Sequence, residues 1–153
     1  MKLRSKIGIG VPAAFLAMQL VTCNRTNPPV VSDIKTPDDV KGVLRRACYD
    51  CHSNETVWRW YHRVAPGSWL VHSDVEDGRR HVNFSEWDAA PPEKRLRRLQ
   101  GIAKVVASGD MPPWWYVYPM HPAAKLSDKD TALIEAWAKS AAKSMQGGDA
   151  KPR

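Results

Sequence analysis

Cys48-Tyr49-Asp50-Cys51-His52 is the tightest constraint in this chain of 153 residues. Two thiols three residues apart can serve a disulfide in an oxidising compartment, a thiol redox centre, or attachment of a c-type haem, of which C-x-x-C-H is the sequence signature. The spacing has a physical reason in the third case: such thiols reach both vinyl groups of one porphyrin as thioethers, and the next histidine falls beneath the iron. A redox C-x-x-C opens a helix within a βαβ unit. Here the pair follows a helical pattern, no βαβ pattern surrounds it, and His52 comes immediately after. Zinc would require two further ligands at metal spacing, and neither a second cysteine pair nor an H-x-x-x-H exists. One covalent haem c is therefore expected, with Cys48 and Cys51 as its thioether residues and His52 as the proximal iron ligand.

The start of the chain reads as an export signal. Lys2, Arg4 and Lys6 precede an apolar run from Ile7 to Val21 that contains Gly8, Gly10 and Pro12 and is short for a membrane-spanning helix. Leu20-Val21-Thr22-Cys23 loosely resembles a lipoprotein box, so residues 1–23 are either a signal peptide, lipidated at Cys23, or an uncleaved N-terminal membrane anchor. Either way the domain is expected outside the cytoplasm, in the periplasm or on the outer face of a bacterial membrane. Without the three leading cations, twenty Lys and Arg face sixteen acidic residues, a mild +4. That excludes the dense basic stripe of a nucleic-acid binder.

Helical periodicity dominates the rest. Residues 24–35 are polar and contain Pro28-Pro29, the mark of a linker. Thr36, Pro37, Asp38 and Asp39 form a helix start, and Val40, Val43, Leu44 and Ala47 share one face. A second helix is predicted from Pro66 to about Gly78, and Phe84-Ser85-Glu86-Trp87 as a turn. A third helix follows Pro91-Pro92, with Leu96, Leu99, Ala103 and Val106 on one face, Lys94, Arg95, Arg97 and Arg98 on the other, and Gly109 at its end. Residues 110–126 read as irregular. The last helix opens at Ser127, with Asp130 completing a capping box and Leu133, Ile134, Trp137 and Ala141 as its apolar stripe. No run alternates with period two, so the domain, residues 36–146, is all-α, with a polar tail over 147–153.

The distal ligand should lie between the third and last helices, where irregular chain can aim a side chain at iron. Met111, stiffened by Pro112-Pro113, is the candidate, with His121 as the alternative and Met120 after it. Seven tryptophans need a large flat surface or one another to pack against. Trp58, Trp60 and Trp69, near the motif, are candidates for the haem pocket, and Trp137 for packing between the terminal and first helices. Arg45, Arg46, Arg59 and Arg63 flank the motif as surface charges or a propionate partner. The Lys94–Arg98 cations are a solvated face or a docking patch for an acidic redox partner. His62, His72 and His81 read as surface or capping residues.

The order of elements, from a capped helix ending at the motif to a Met-Pro-Pro loop before the last helix, resembles class I cytochrome c. The insertion Trp114 through Pro122 departs from that pattern. The chain more closely resembles the bacterial haem-binding domain family of exported monohaem proteins. The marks are Arg25-Thr26-Asn27-Pro28-Pro29, Cys48 through Thr56, Trp60-Tyr61, Ala65-Pro66, Ser68-Trp69-Leu70, Asn83 through Trp87, Met111-Pro112-Pro113 and His121-Pro122. The resemblance implies a small helical cytochrome c-like domain wrapped around one covalent haem. The expected function is single-electron transfer without enzymatic chemistry. The competing class is a haem sensor or small-ligand module with a displaceable sixth ligand, and no distal acid–base pair points to a peroxidase. The apolar run predicts that the full-length product fractionates with membranes, and that a version lacking residues 1–23 but exported by a cleavable signal is soluble. Recovery of the natural product wholly in the soluble periplasm would contradict this.

Overall fold

A computed structural model describes residues 2–148. The helices are α1 (Lys2–Met18), α2 (Asp38–Ala47), the single turn α3 (Tyr49–His52), α4 (Gly67–His81), α5 (Pro92–Ala107), the single turn α6 (Trp114–Val117) and α7 (Asp128–Gly148). Two 3-10 turns cover Trp60–Arg63 and Pro122–Ala124. Among the described residues there is no strand, only an isolated bridge between Ser32 and Glu86. The domain is all-α.

Local chemistry explains where the long helices begin and end. Pro37 stands at the N-cap of α2, and Asp38 and Asp39 complement the positive end of the helix. Pro92 occupies the first position of α5, where its missing N–H costs no hydrogen bond. After α5, Gly109 adopts φ +76°, a left-handed conformation that glycine tolerates. Ser127 and Asp130 form a reciprocal box at the start of α7: the Asp130 carboxylate accepts from the Ser127 N–H at 3.0 Å, and Ser127 Oγ accepts from the Asp130 N–H at 3.2 Å.

The core lies where α2, α5 and α7 meet. Val40, Val43, Leu44 and Ala47 are all buried, as their spacing predicts. They face Leu99, Ile102, Ala103 and Val106 of α5 and Ile134, Ala138 and Ala142 of α7. The α7 stripe is rotated from the sequence expectation. Leu133, Trp137 and Ala141 only flank the core, while small residues at i+4 and i+8 from Ile134 sit at its centre. Alanines there let α5 and α7 approach closely, because interiors are packed to crystal-like density. Each fully buried aliphatic side chain such as Leu44 or Ile134 contributes about 1.5–3 kcal/mol.

Residues 24–35 are not a free linker. Asn27 donates to the Thr56 carbonyl, Val31 and Ser32 donate to Ser85 O, and Ile34 is buried and bonds Phe84 O. The segment is a strap laid across the domain. The end of the N-terminal segment also touches it: Gln19 exchanges two hydrogen bonds with the backbone of Ala65, and the Trp69 indole donates to Val21 O. Among the described residues no helix is long and apolar enough to cross a membrane. α7 continues through Gly148, past the expected boundary at 146; the remainder of the predicted tail, 149–153, lies outside the described residues.

Asp33 of the strap fastens Tyr49, the residue after Cys48. The Tyr49 hydroxyl donates to Asp33 at 2.7 Å, and the Lys41 ammonium donates to the same carboxylate at 2.8 Å. Burial alone would raise the Asp33 carboxyl, but these two donors, with the charges of Lys41 and Arg45, hold it below the ordinary carboxylate value. A depressed carboxylate contributes stability that is present above the unfolded pKa and lost as pH falls through the folded one. Asp33→Asn should therefore cost about 1–2 kcal/mol at pH 7. In denaturant unfolding at stepped pH, the gap to wild type should shrink as pH drops below the ordinary value of 3.8.

Candidate functional site

A cavity of about 570 Å³ opens between α3, α4, α5 and the segment that follows α5. That volume lies in the range of cofactor pockets. Cys48, Cys51 and His52 line it, and Met111, Pro112 and Pro113 contribute from the segment after α5. Leu44, Phe84, Ile102, Val105 and Val106 give it an apolar wall. Its charged lining residues are Asp74, Asp77, Lys94, Arg97 and Arg98, and His81 also lines it.

The motif owes its geometry to two helices. α2 ends as the Cys48 N–H bonds Leu44 O at 2.8 Å, and the Cys48 carbonyl then accepts from Cys51 at 3.2 Å and His52 at 2.9 Å. That single turn puts both thiols and the imidazole on the cavity wall. α4 packs directly on the turn. A Cβ on Gly78 would lie 2.4 Å from the Cys51 carbonyl oxygen, so only glycine fits there. The approach brings carbonyls at the end of α4 to His52: its Nδ1 lies 2.9 Å from Gly78 O and 3.1 Å from Val82 O. With two acceptors and no donor opposite it, Nδ1 carries the proton. Burial also depresses the imidazole pKa, against the raising effect of those carbonyls, so the ring is neutral. Nε2 keeps a free lone pair on a side chain that lines the cavity. A histidine whose Nδ1–H is pinned by a carbonyl is the arrangement of a metal-ligating imidazole.

Burial pushes both thiols up to about 12, with Asp74 and Asp50 adding to the effect at Cys51. They are protonated at neutral pH and lack the thiolate character of a redox C-x-x-C. Among the described residues no group of three or more His, Cys, Asp or Glu side chains converges as a metal site.

A buried polar network braces the chain after His52. The Asn54 amide donates to Pro29 O and Glu86, and its oxygen accepts from Asn83 at 2.9 Å. Ser85 Oγ accepts from the Asn54 N–H, and the Asn83 side chain accepts from the Ser85 N–H. Arg79 donates to Ser53 O, Thr56 Oγ1 and Asn27. The Phe84 N–H closes the network on His52 O at 2.8 Å.

Other residues singled out in the sequence fall elsewhere. Trp58, Trp60 and Trp69 do not line the cavity: Trp58 donates to Asn27, Trp60 is 73% exposed, and Trp69 holds Val21. Trp115 and Tyr116 line it instead, from the short helix inside the segment expected to be irregular. His121 is also outside. It is buried, stacked on Tyr116, and its Nε2 is hydrogen-bonded to the Tyr61 hydroxyl at 2.7 Å. Met120 is exposed and outside the lining. Arg45 pairs with Glu55, Arg46 with Asp130, and Arg59 lies 3.7 Å from Asp50. Lys94, Arg97 and Arg98, expected on a wet face, line the cavity. The signal was available: 94, 97, 98, 101 and 105 form one helical stripe beside the apolar face.

A largely apolar cavity of this volume suits a tetrapyrrole, the bare imidazole nitrogen suits its iron, and the cations among the lining residues suit its carboxylates. The family model described as a haem-binding domain matches residues 13–140. The chain belongs to this haem-binding domain family. No curated protein and no solved structure matches it. Haem binding is the family's property. Gly78 is the tightest contact beside the motif turn. Gly78→Ala should push α4 off Cys51, lower thermal stability by about 1–3 kcal/mol and reduce the haem retained per polypeptide, read from the ratio of haem to protein absorbance. Wild-type stability and loading in that variant would show that the contact is unimportant.

Proposed function

We propose that this haem-binding domain is a monohaem c-type cytochrome, exported to the periplasm, that carries single electrons and has no substrate chemistry of its own. The observation that carries the reading is the shared cavity. Two protonated thiols, an imidazole with one nitrogen pinned and the other free, and a methionine from the far segment all line the same slot. Cys48 and Cys51 would hold the haem as thioethers, each thiol saturating one vinyl group with nothing released. When bound, the haem would supply a one-electron iron couple. His52 would hold the iron through Nε2, and the carbonyls behind it raise the basicity of the ring. Met111 would supply a thioether ligand, which sets a higher potential than a second histidine would. Lys94, Arg97 and Arg98 are the cations suited to the propionates, Arg above all for its planar bidentate fork. Lys94 and Arg97 are exposed, which suits docking of an acidic redox partner as well.

Covalent attachment is tested by haem staining after denaturing electrophoresis. Wild type should stain, the single variants Cys48→Ser and Cys51→Ser should stain more weakly, and the double variant should not stain at all. Full staining of the double variant would overturn the thioether assignment. Met111→Ala should abolish the weak methionine-to-ferric-iron charge-transfer band and let carbon monoxide bind the reduced protein. Met120→Ala should change neither property. A band that survives Met111→Ala would transfer the ligand role elsewhere.

A further inference from the structure

Asp50 sits between the two motif cysteines, and its carboxylate is a junction rather than a surface charge. Oδ1 accepts the Val57 N–H at 3.0 Å, closing the loop that leaves the motif. Oδ2 accepts the Tyr116 hydroxyl at 2.9 Å, across sixty-six positions of sequence. The Arg59 guanidinium and His121 Nδ1 lie 3.7 and 3.9 Å from the same oxygen. Tyr116 stacks on His121, with ring centroids 4.1 Å apart and planes 16° from parallel. On its far edge His121 Nε2 lies 2.7 Å from the Tyr61 hydroxyl, and the Tyr61 ring packs edge-on against His62. The imidazole thus bridges Tyr61 and Asp50, with Nδ1 facing the carboxylate.

The segment between α5 and α7 has few other holds on the domain. Met111 hangs from Val105 O of its own preceding helix, and Arg46 grips the carbonyls of Ala123 and Lys125 at the far end. Between these ends, the Tyr116 hydroxyl and the His121 ring tie the segment to the motif side, and Trp115 adds a side-chain hydrogen bond to Asp74 of α4. Tyr116 also lines the cavity a few residues from Met111.

We infer that Asp50 and Tyr116 are positioning residues: their hydrogen bond latches the distal segment to the motif turn and so fixes Met111 opposite His52. The inference rests on Met111 being the distal ligand. A charge-assisted O–H···O⁻ bond is among the stronger tethers a protein makes. Burial and the Asp50 charge both keep the Tyr116 phenol protonated, so the donor is present across the physiological range. The latch joins the two halves of the cavity through the residue that separates the two attachment thiols.

The test uses the haem-loaded full chain with Tyr116→Phe, which keeps the ring and its stacking and removes only the hydroxyl. Asp50→Ala is the companion variant. Four quantities are read: the methionine charge-transfer band, the rate at which carbon monoxide binds the reduced protein, amide hydrogen exchange and the level of stained haem. Tyr116→Phe should weaken the band and speed carbon monoxide binding about tenfold, the scale of one lost charge-assisted bond. The Val117, Tyr118 and His121 amides should exchange faster, while those of α7 and the level of stained haem stay as in wild type. A Tyr116→Phe protein with the wild-type band and the wild-type binding rate overturns the latch. A wild-type protein that itself lacks the band fails the Met111 reading first, before any variant is compared.

Discussion

The closeness of α4 to the motif turn is the constraint on which the site depends. A side chain at residue 78 would have nowhere to go, because the Cys51 carbonyl occupies that place. In return, the approach puts two carbonyls within reach of His52. The carbonyls at the end of a helix carry the negative end of its dipole, and Gly78 O serves both the Val82 N–H and the imidazole. A donor N–H placed there is held in orientation and tautomer at once. Glycine in mid-helix costs up to about 1 kcal/mol relative to alanine. That cost is accepted here because it delivers an imidazole with one nitrogen committed and the other bare.

The same economy governs the polar residues around it. Ser53, Asn54, Thr56, Asn83 and Ser85 are buried, and a buried polar group without a partner costs about 1–3 kcal/mol. Here they satisfy one another and the backbone of two irregular segments that no helix or sheet could serve. Short sequence marks such as Ser53-Asn54-Glu55-Thr56 and Asn83-Phe84-Ser85-Glu86-Trp87 thus have a structural cause. They are the two sides of one hydrogen-bonded seam that keeps the turn bearing His52 from drifting.

Regular elements were readable in the sequence because each rests on local rules. The apolar face of α2, Pro92 at the head of α5 and the Ser127–Asp130 box depend on residues three or four apart. The turns of α6 and the 3-10 helices were not readable, since a four-residue helix has no period to detect. Proximity in sequence misplaced the indoles: Trp58 and Trp60 follow the motif closely, yet the chain turns away and uses them against Asn27 and Tyr61. The cations of α5 face water at Lys94 and Arg97, as their position opposite the apolar stripe predicts, but the same face also borders the cavity.

The strap has a consequence for where this domain starts. Composition alone would set the boundary at residue 36, before the first strong helix. A chain cut there would lose Ile34 from the core, the Asp33 carboxylate from Tyr49 and Lys41, and the Pro29 carbonyl from Asn54. Asn27 would go as well, stripping an acceptor from both Trp58 and Arg79. The packed unit therefore includes the strap, and the stretch that reads as spacer is its outermost layer.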